Sequence, residues 1–104
     1  MLIDEIRALL AAPSPDDPRP ILERMDATLT EGYAQALQLE AERWRIERQI
    51  AEIIAGLAAE TNKRKTAQLA ALARRRTVAD EHIVSLRTLL ALLRDRRAAL
   101  RDAA

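Results

Sequence analysis

From Ile21 to Ala104 the chain contains no proline and only two glycines, Gly32 and Gly56, and through that stretch apolar residues recur in alternating steps of three and four. In the first half the steps fall on Leu22, Met25, Leu29, Gly32, Ala36, Leu39, Arg43, Ile46, Ile50, Ile53 and Leu57. In the second they fall on Leu69, Leu72, Arg76, Ala79, Ile83, Leu86, Leu90, Leu93, Arg97 and Leu100. A seam of that period holds one face of a helix against another helix, which is the coiled-coil pattern. A strand repeats every second residue and cannot present it. Each patterned segment is roughly 39 residues, or ~58 Å of helix at 1.5 Å per residue.

Between the segments lies LAAETNKRKTAQL, whose chemistry decides between two helices and one rod. Asn62 tolerates the left-handed conformation that ends many helices, Lys63, Arg64 and Lys65 suit the carbonyl end of a first helix, and Thr66 suits the N-cap of a second. A reversal at 61–65 is therefore expected. Two alternatives are weaker. At RRRTVADE, Thr77 and Asp80 resemble a capping box, but the seam crosses that point without a phase break. An unbroken rod dimerising through its seam would leave the turn chemistry unused. Closure at 61–65 puts position i opposite roughly 126 minus i in an antiparallel pair. That brings Glu23 and Asp26 near Arg97 and Arg101, and Glu52 near Arg74 and Arg75.

Residues 1–12 carry one apolar stripe, Leu2, Ile3, Ile6, Leu9 and Leu10. A helix so short is marginal alone and needs a surface to lie on. Residues 13–20, PSPDDPRP, hold four prolines and predict a stiff linker. The expected fold class is all-α: a short amphipathic helix over 1–12, the Pro-rich linker over 13–20, and an antiparallel two-helix coiled-coil hairpin over 21–104 with its turn near 61–65, dimerising into a four-helix bundle.

Composition removes several function classes. With one Trp, one Tyr and no Phe, there is no aromatic platform on which single-stranded nucleic acid could stack. No cysteine is present, so disulfides and thiolate chemistry are absent and a reducing compartment is the natural setting. Asp4 and Glu5 stand where a signal peptide needs positive charge, and the longest apolar run, Leu89 to Leu93, is too short to span a bilayer. The expected localisation is cytoplasmic, with no membrane partner.

Few residues could carry chemistry. His82 is the only histidine. Asp80 and Glu81 adjoin it, but no second histidine or cysteine completes a metal set, and in the expected register it packs opposite Trp44. Serine and threonine hydroxyls lack an oriented base. No enzyme is expected, and no catalytic residue, cofactor or metal. Arg43, Arg76 and Arg97 interrupt the seams, where a polar residue with a long stem fixes register.

Two surfaces remain. Residues 61–76 hold six basic side chains, Lys63, Arg64, Lys65, Arg74, Arg75 and Arg76, and no acidic one, while residues 1–60 hold twelve acidic and six basic. The net charge of +1 thus conceals a positive tip, one that touches phosphates or an acidic protein or is neutralised by Glu47, Glu52 and Glu60. Flanking the seams runs a second apolar stripe: Tyr33, Leu37, Trp44, Ala51, Ile54 and Ala58 on the first helix, Val78, Ser85, Leu89, Leu92 and Ala99 on the second. Two helices share one seam and cannot also bury such flanks, so Tyr33, Leu37, Trp44, Ile54, Leu89 and Leu92 are expected to meet a second copy, a partner's helix or, in part, the N-terminal helix, whose twelve residues reach only ~18 Å.

Glu81 with Ser85, and Arg45 with Gln49, resemble steps of the Glu-x3-Ser-x2-Arg-x3-Gln-x3-Asp motif of anti-sigma hairpins that hold cyclic di-GMP. Thr88, Leu92 and Arg96 on one helix, and Gln38, Glu42 and Ile53 on the other, depart from it, so no nucleotide is expected. The sequence thus predicts a non-enzymatic interaction module, an adaptor, chaperone or regulator working helix-in-groove. The alternative is an anti-sigma-like or otherwise nucleic-acid-associated regulator acting through the basic tip.

Overall fold

A computed structural model describes residues 1–57 and 62–103, and the described elements are all helical: α1 (Leu2–Ala11), α2 (Arg19–Leu57) and α3 (Lys63–Ala103). Ala58 of the expected stripe, Glu60 of the carboxylates expected to neutralise the basic tip, and Thr61 of the expected turn lie outside the described residues.

Local chemistry sets the helix ends. Asp4 and Glu5 occupy the first turn of α1, where carboxylates oppose the positive end of the helix dipole. α1 stops at Ala12, which takes φ −64° and ψ 137° because Pro13 disfavours helical backbone in the residue before it. α2 begins at Arg19, within the expected linker, with the Pro18 carbonyl accepting from Leu22 N at 2.9 Å. Pro20 therefore falls in the first turn, where its missing N–H has no helical partner to lose. Asp17 accepts from the Arg19 guanidinium at 3.0 and 3.1 Å and from its backbone N–H at 3.2 Å, and these bonds hold its carboxyl below the usual carboxylate range.

The chemistry before α3 differs from expectation. No described non-glycine residue has positive φ, so Asn62 is not a left-handed terminator of α2. It is the N-cap of α3: Asn62 Oδ1 accepts from Lys65 N at 2.8 Å. Lys63, Arg64 and Lys65 fall in the first turn of α3 instead of the last turn of α2, and Thr66, already inside α3, donates its hydroxyl to the Asn62 carbonyl at 3.1 Å. The Asn62 side chain satisfies one of the orphan N–H groups of the first turn, while the three cations sit unfavourably at the positive end of the helix dipole. Asn62→Ala is expected to destabilise the chain by about 1 kcal/mol, read as a lower urea midpoint at unchanged slope. An unchanged midpoint would show that the cap adds nothing.

The chain forms two units, Met1–Leu37 with Val84–Ala104, and Gln38–Ile83. In the first, three helices share a core of Leu2, Ile6 and Leu9 from α1, Met25, Leu29 and Ala36 from α2, and Leu86, Leu90, Leu93 and Leu100 from α3. At Gly32 a Cβ would overlap Leu90 Cδ2 and lie 3.3 Å from its Cγ, so glycine at this seam position is what lets Leu90 approach. The buried Thr28 hydroxyl donates to Glu5 Oε1 at 3.1 Å, tying α1 to α2. Asp26 is paired with Arg97.

The second unit has two helices and a thinner core. Ile46, Leu72 and Ile83 are buried, while the seam residues Leu39, Ile50, Ile53, Leu57 and Leu69 are only half-buried. Arg43 pairs with Asp80 at 3.2 Å and Arg76 with Glu47 at 3.1 Å. In each unit α2 and α3 are thus antiparallel, and all three seam arginines meet a carboxylate of the other helix. The two residue numbers add to 123 in each of these three pairs and to 117 for Glu42 with Arg75, against the roughly 126 expected.

Candidate interaction surface

Side-chain direction follows from the ion pairs. Asp26, Glu47 and Asp80, the partners of the seam arginines, each follow a seam position by one residue. Glu42 and Arg75, which pair at 3.1 Å, each precede one. In two antiparallel right-handed helices, the residues that follow the seam on both helices look to one side and those that precede it look to the other.

Applied to each unit, this rule separates the expected stripe. In the first unit Tyr33 and Leu37 follow the seam of α2, and Val84 follows that of α3; all three are exposed. Leu89 and Leu92 precede the seam, on the side of Thr28 and Arg96, to which α1 is bonded. Leu89 is half-buried and Leu92 exposed. The six residues therefore do not form one surface. Val84, which sequence reasoning missed, belongs with Tyr33 and Leu37. Pairing the following position of one helix with the following position of the other would have found it.

In the second unit Trp44 and Ile54 follow the seam and remain 56% and 53% exposed in the single chain. The Arg48 guanidinium lies over the Trp44 ring, 4.8 Å from its centroid, and reaches Glu52 at 4.0 Å. Arg43, Glu47, Arg76 and Asp80 form a mixed-charge border along the same side. On the opposite side a groove of 390 Å³ is lined by Gln49, Glu52, Ile53, Gln68, Ala71, Leu72 and Arg75. His82 is exposed on that side, beside Glu42, Arg74, Arg75 and Val78. It precedes the seam whereas Trp44 follows it, so the expected packing between them does not form. Among the described residues no three metal-ligating side chains cluster.

Arg45 is engaged with Glu42 at 2.7 Å. That hydrogen bond holds the Glu42 carboxyl below its usual range against the opposing effect of burial, with Arg45 and Arg75 adding Coulombic attraction. The arginine of the nucleotide-motif resemblance is therefore tied within the chain.

The expected basic tip is divided in the same way. Arg75 and Arg76 are paired with Glu42 and Glu47, whereas Lys63, Arg64 and Arg74 have no acidic partner among the described residues. No helix among those residues is long and apolar enough to cross a membrane. No family model, curated protein or solved structure matches the chain.

Proposed function

We propose that the chain is a non-enzymatic protein–protein interaction module of the adaptor, chaperone or regulator kind: an antiparallel coiled-coil hairpin with a short N-terminal helix that pairs with a second copy of itself as a four-helix bundle. The observation that carries this is the thin core of residues 38–83. Its seam isoleucines Ile50 and Ile53 are only half-covered, with Trp44 and Ile54 exposed alongside. Helices with that much apolar width are stable when another helix covers them. The alternating Arg43, Glu47, Arg76 and Asp80 border supports a like partner, because a mixed-charge edge can complement a copy of itself.

Sedimentation of wild type and Ile54→Glu tests this. The wild type should sediment as a dimer, and the variant as one chain with its helical circular dichroism retained. An unpaired carboxylate in an apolar contact costs several kcal/mol, enough to move a micromolar association out of range at about 1.4 kcal/mol per tenfold. A wild type that is monomeric at high micromolar concentration would leave only capture of another protein's helix.

A second reading has one observation of its own. Three cations occupy the first turn of α3 with no acidic residue among them, an arrangement unfavourable to the helix dipole and suited to an external phosphate. Salt-dependent DNA binding that disappears when Lys63, Arg64 and Lys65 become glutamine would favour a nucleic-acid-associated regulator.

A further inference from the structure

Arg96 carries an unpaired donor that the packing of the first unit does not account for. Its Nη2 donates to the Ala12 carbonyl at 3.1 Å and to Ser14 Oγ at 3.3 Å, while its Nε is buried without a partner. Native proteins retain few such groups, because a buried donor loses its water and gains nothing in return. Nε–H and the adjacent Nη2–H project side by side from one edge of the guanidinium, the edge with which arginine grips two oxygens of one anion. Arg97 uses its Nε and Nη2 in this way on the Asp26 carboxylate. On Arg96 only Nη2 reaches the Ser14 hydroxyl, at 3.3 Å, a separation beyond the usual range for such a bond, and Nε beside it donates to nothing.

Ser14 is placed for modification. It is exposed, lies outside any helix between α1 and α2, and stands between Pro13 and Pro15, which keep the backbone from closing into helix. A proline directly after the serine is the feature that proline-directed kinases require.

The geometry points to Ser14 as a phosphorylation site whose phosphate is received by the Nε and Nη2 edge of Arg96. The kinase transfers the γ-phosphoryl group of a nucleoside triphosphate to Ser14 Oγ. The oxygen–phosphorus bond forms, the bond from the γ-phosphorus to its bridging oxygen breaks, a nucleoside diphosphate leaves, and the hydroxyl proton passes to the kinase's base. The product carries a charge of about −1.5 to −2 and three acceptor oxygens, so one oxygen takes Nη2–H and another takes the orphan Nε–H. Asp17, three residues on, is already opposed by Arg19. The modified linker then anchors the end of α1 to α3 and converts a short helix of marginal intrinsic stability into a locked one. This inference does not depend on whether the Trp44 face associates.

Phosphoserine encoded at position 14 of the full chain should slow hydrogen exchange of the α1 amides about tenfold relative to serine, the scale of one added charge-assisted bond. Most of that slowing should vanish in Arg96→Lys, which keeps the charge and loses the two-donor edge. Equal exchange with and without the phosphate, or equal slowing in Arg96→Lys, overturns the assignment. If Arg96→Lys alone releases α1, phosphorus NMR of the phosphoserine chain decides. Its second ionisation should lie below that of a phosphoserine peptide of residues 13–19, and coincidence of the two overturns the assignment. Incubation of the full chain with a proline-directed serine kinase and ATP should place phosphate on Ser14 by mass spectrometry. No phosphate there overturns the assignment as well.

Discussion

Leu86→Glu should abolish the cooperative thermal transition of the chain at pH 7. Leu86 is 0% exposed at the centre of the first unit's core, with Leu90 and Leu93 on the same face of α3. The substitution removes a buried side chain whose transfer from water is worth about 1.5–3 kcal/mol and leaves a carboxylate with no cation to meet. An unpaired buried charge adds several kcal/mol, and the sum is comparable with the ~5–15 kcal/mol that holds a typical domain together. The pH dependence discriminates burial from a simple loss of packing. A carboxyl disfavoured as an anion has a raised folded pKa, so the unfolded state releases its proton first and stability falls as pH rises above about 4.3. Relative to wild type, the defect should therefore be smallest in acid. A melting temperature within a few degrees of wild type at pH 7 would show that this seam position is not in the core.

Ile6→Asp should free α1 while α2 and α3 stay helical. Ile6 is 0% exposed and, with Leu2 and Leu9, supplies the whole buried face of α1. Three such side chains contribute at most about 5–9 kcal/mol of burial, and an aspartate in the middle of that face forfeits most of it. A free helix of this length is marginal in water, so its backbone opens to proteases. Trypsin should cut after the exposed Arg7 at least tenfold faster than in wild type, a change of about 1.4 kcal/mol or more in the docking equilibrium. Far-UV circular dichroism should lose only the α1 contribution. Cleavage at the wild-type rate would mean that the Thr28–Glu5 and Arg96–Ala12 bonds hold α1 without its apolar face.

The helices themselves were legible because their signals are local. The seam from Leu22 to Leu57 and from Leu69 to Leu100 needed only the period of the helix, and Pro13 announced the end of α1. The amphipathic face of residues 1–12 was readable for the same reason: Leu2, Ile6 and Leu9 are the residues it buries. Arg43, Arg76 and Arg97 were recognisable as charges interrupting an apolar seam, and each pairs with a carboxylate of the other helix. Asn62 shows where local reading stops. An asparagine can end one helix or begin the next, and only the bond from Lys65 N to its side chain distinguishes the two.

The sequence by itself determined that this chain is helical, where its apolar seams run and which charges interrupt them, because a period of alternating threes and fours is a property of one helix and requires no partner. The tertiary structure alone decided the register and the sides. An apolar heptad seam can match another at several offsets, and only the packed helices show which carboxylate each seam arginine reaches. Those pairs also fix which flank faces which, and so place Leu37 with Val84 and apart from Leu89. The covering of one side of the first unit by α1, and the half-satisfied edge of Arg96 that results, arise from residues more than eighty positions apart in the chain. No local pattern specifies a contact at that separation, because it exists only once the helices have packed.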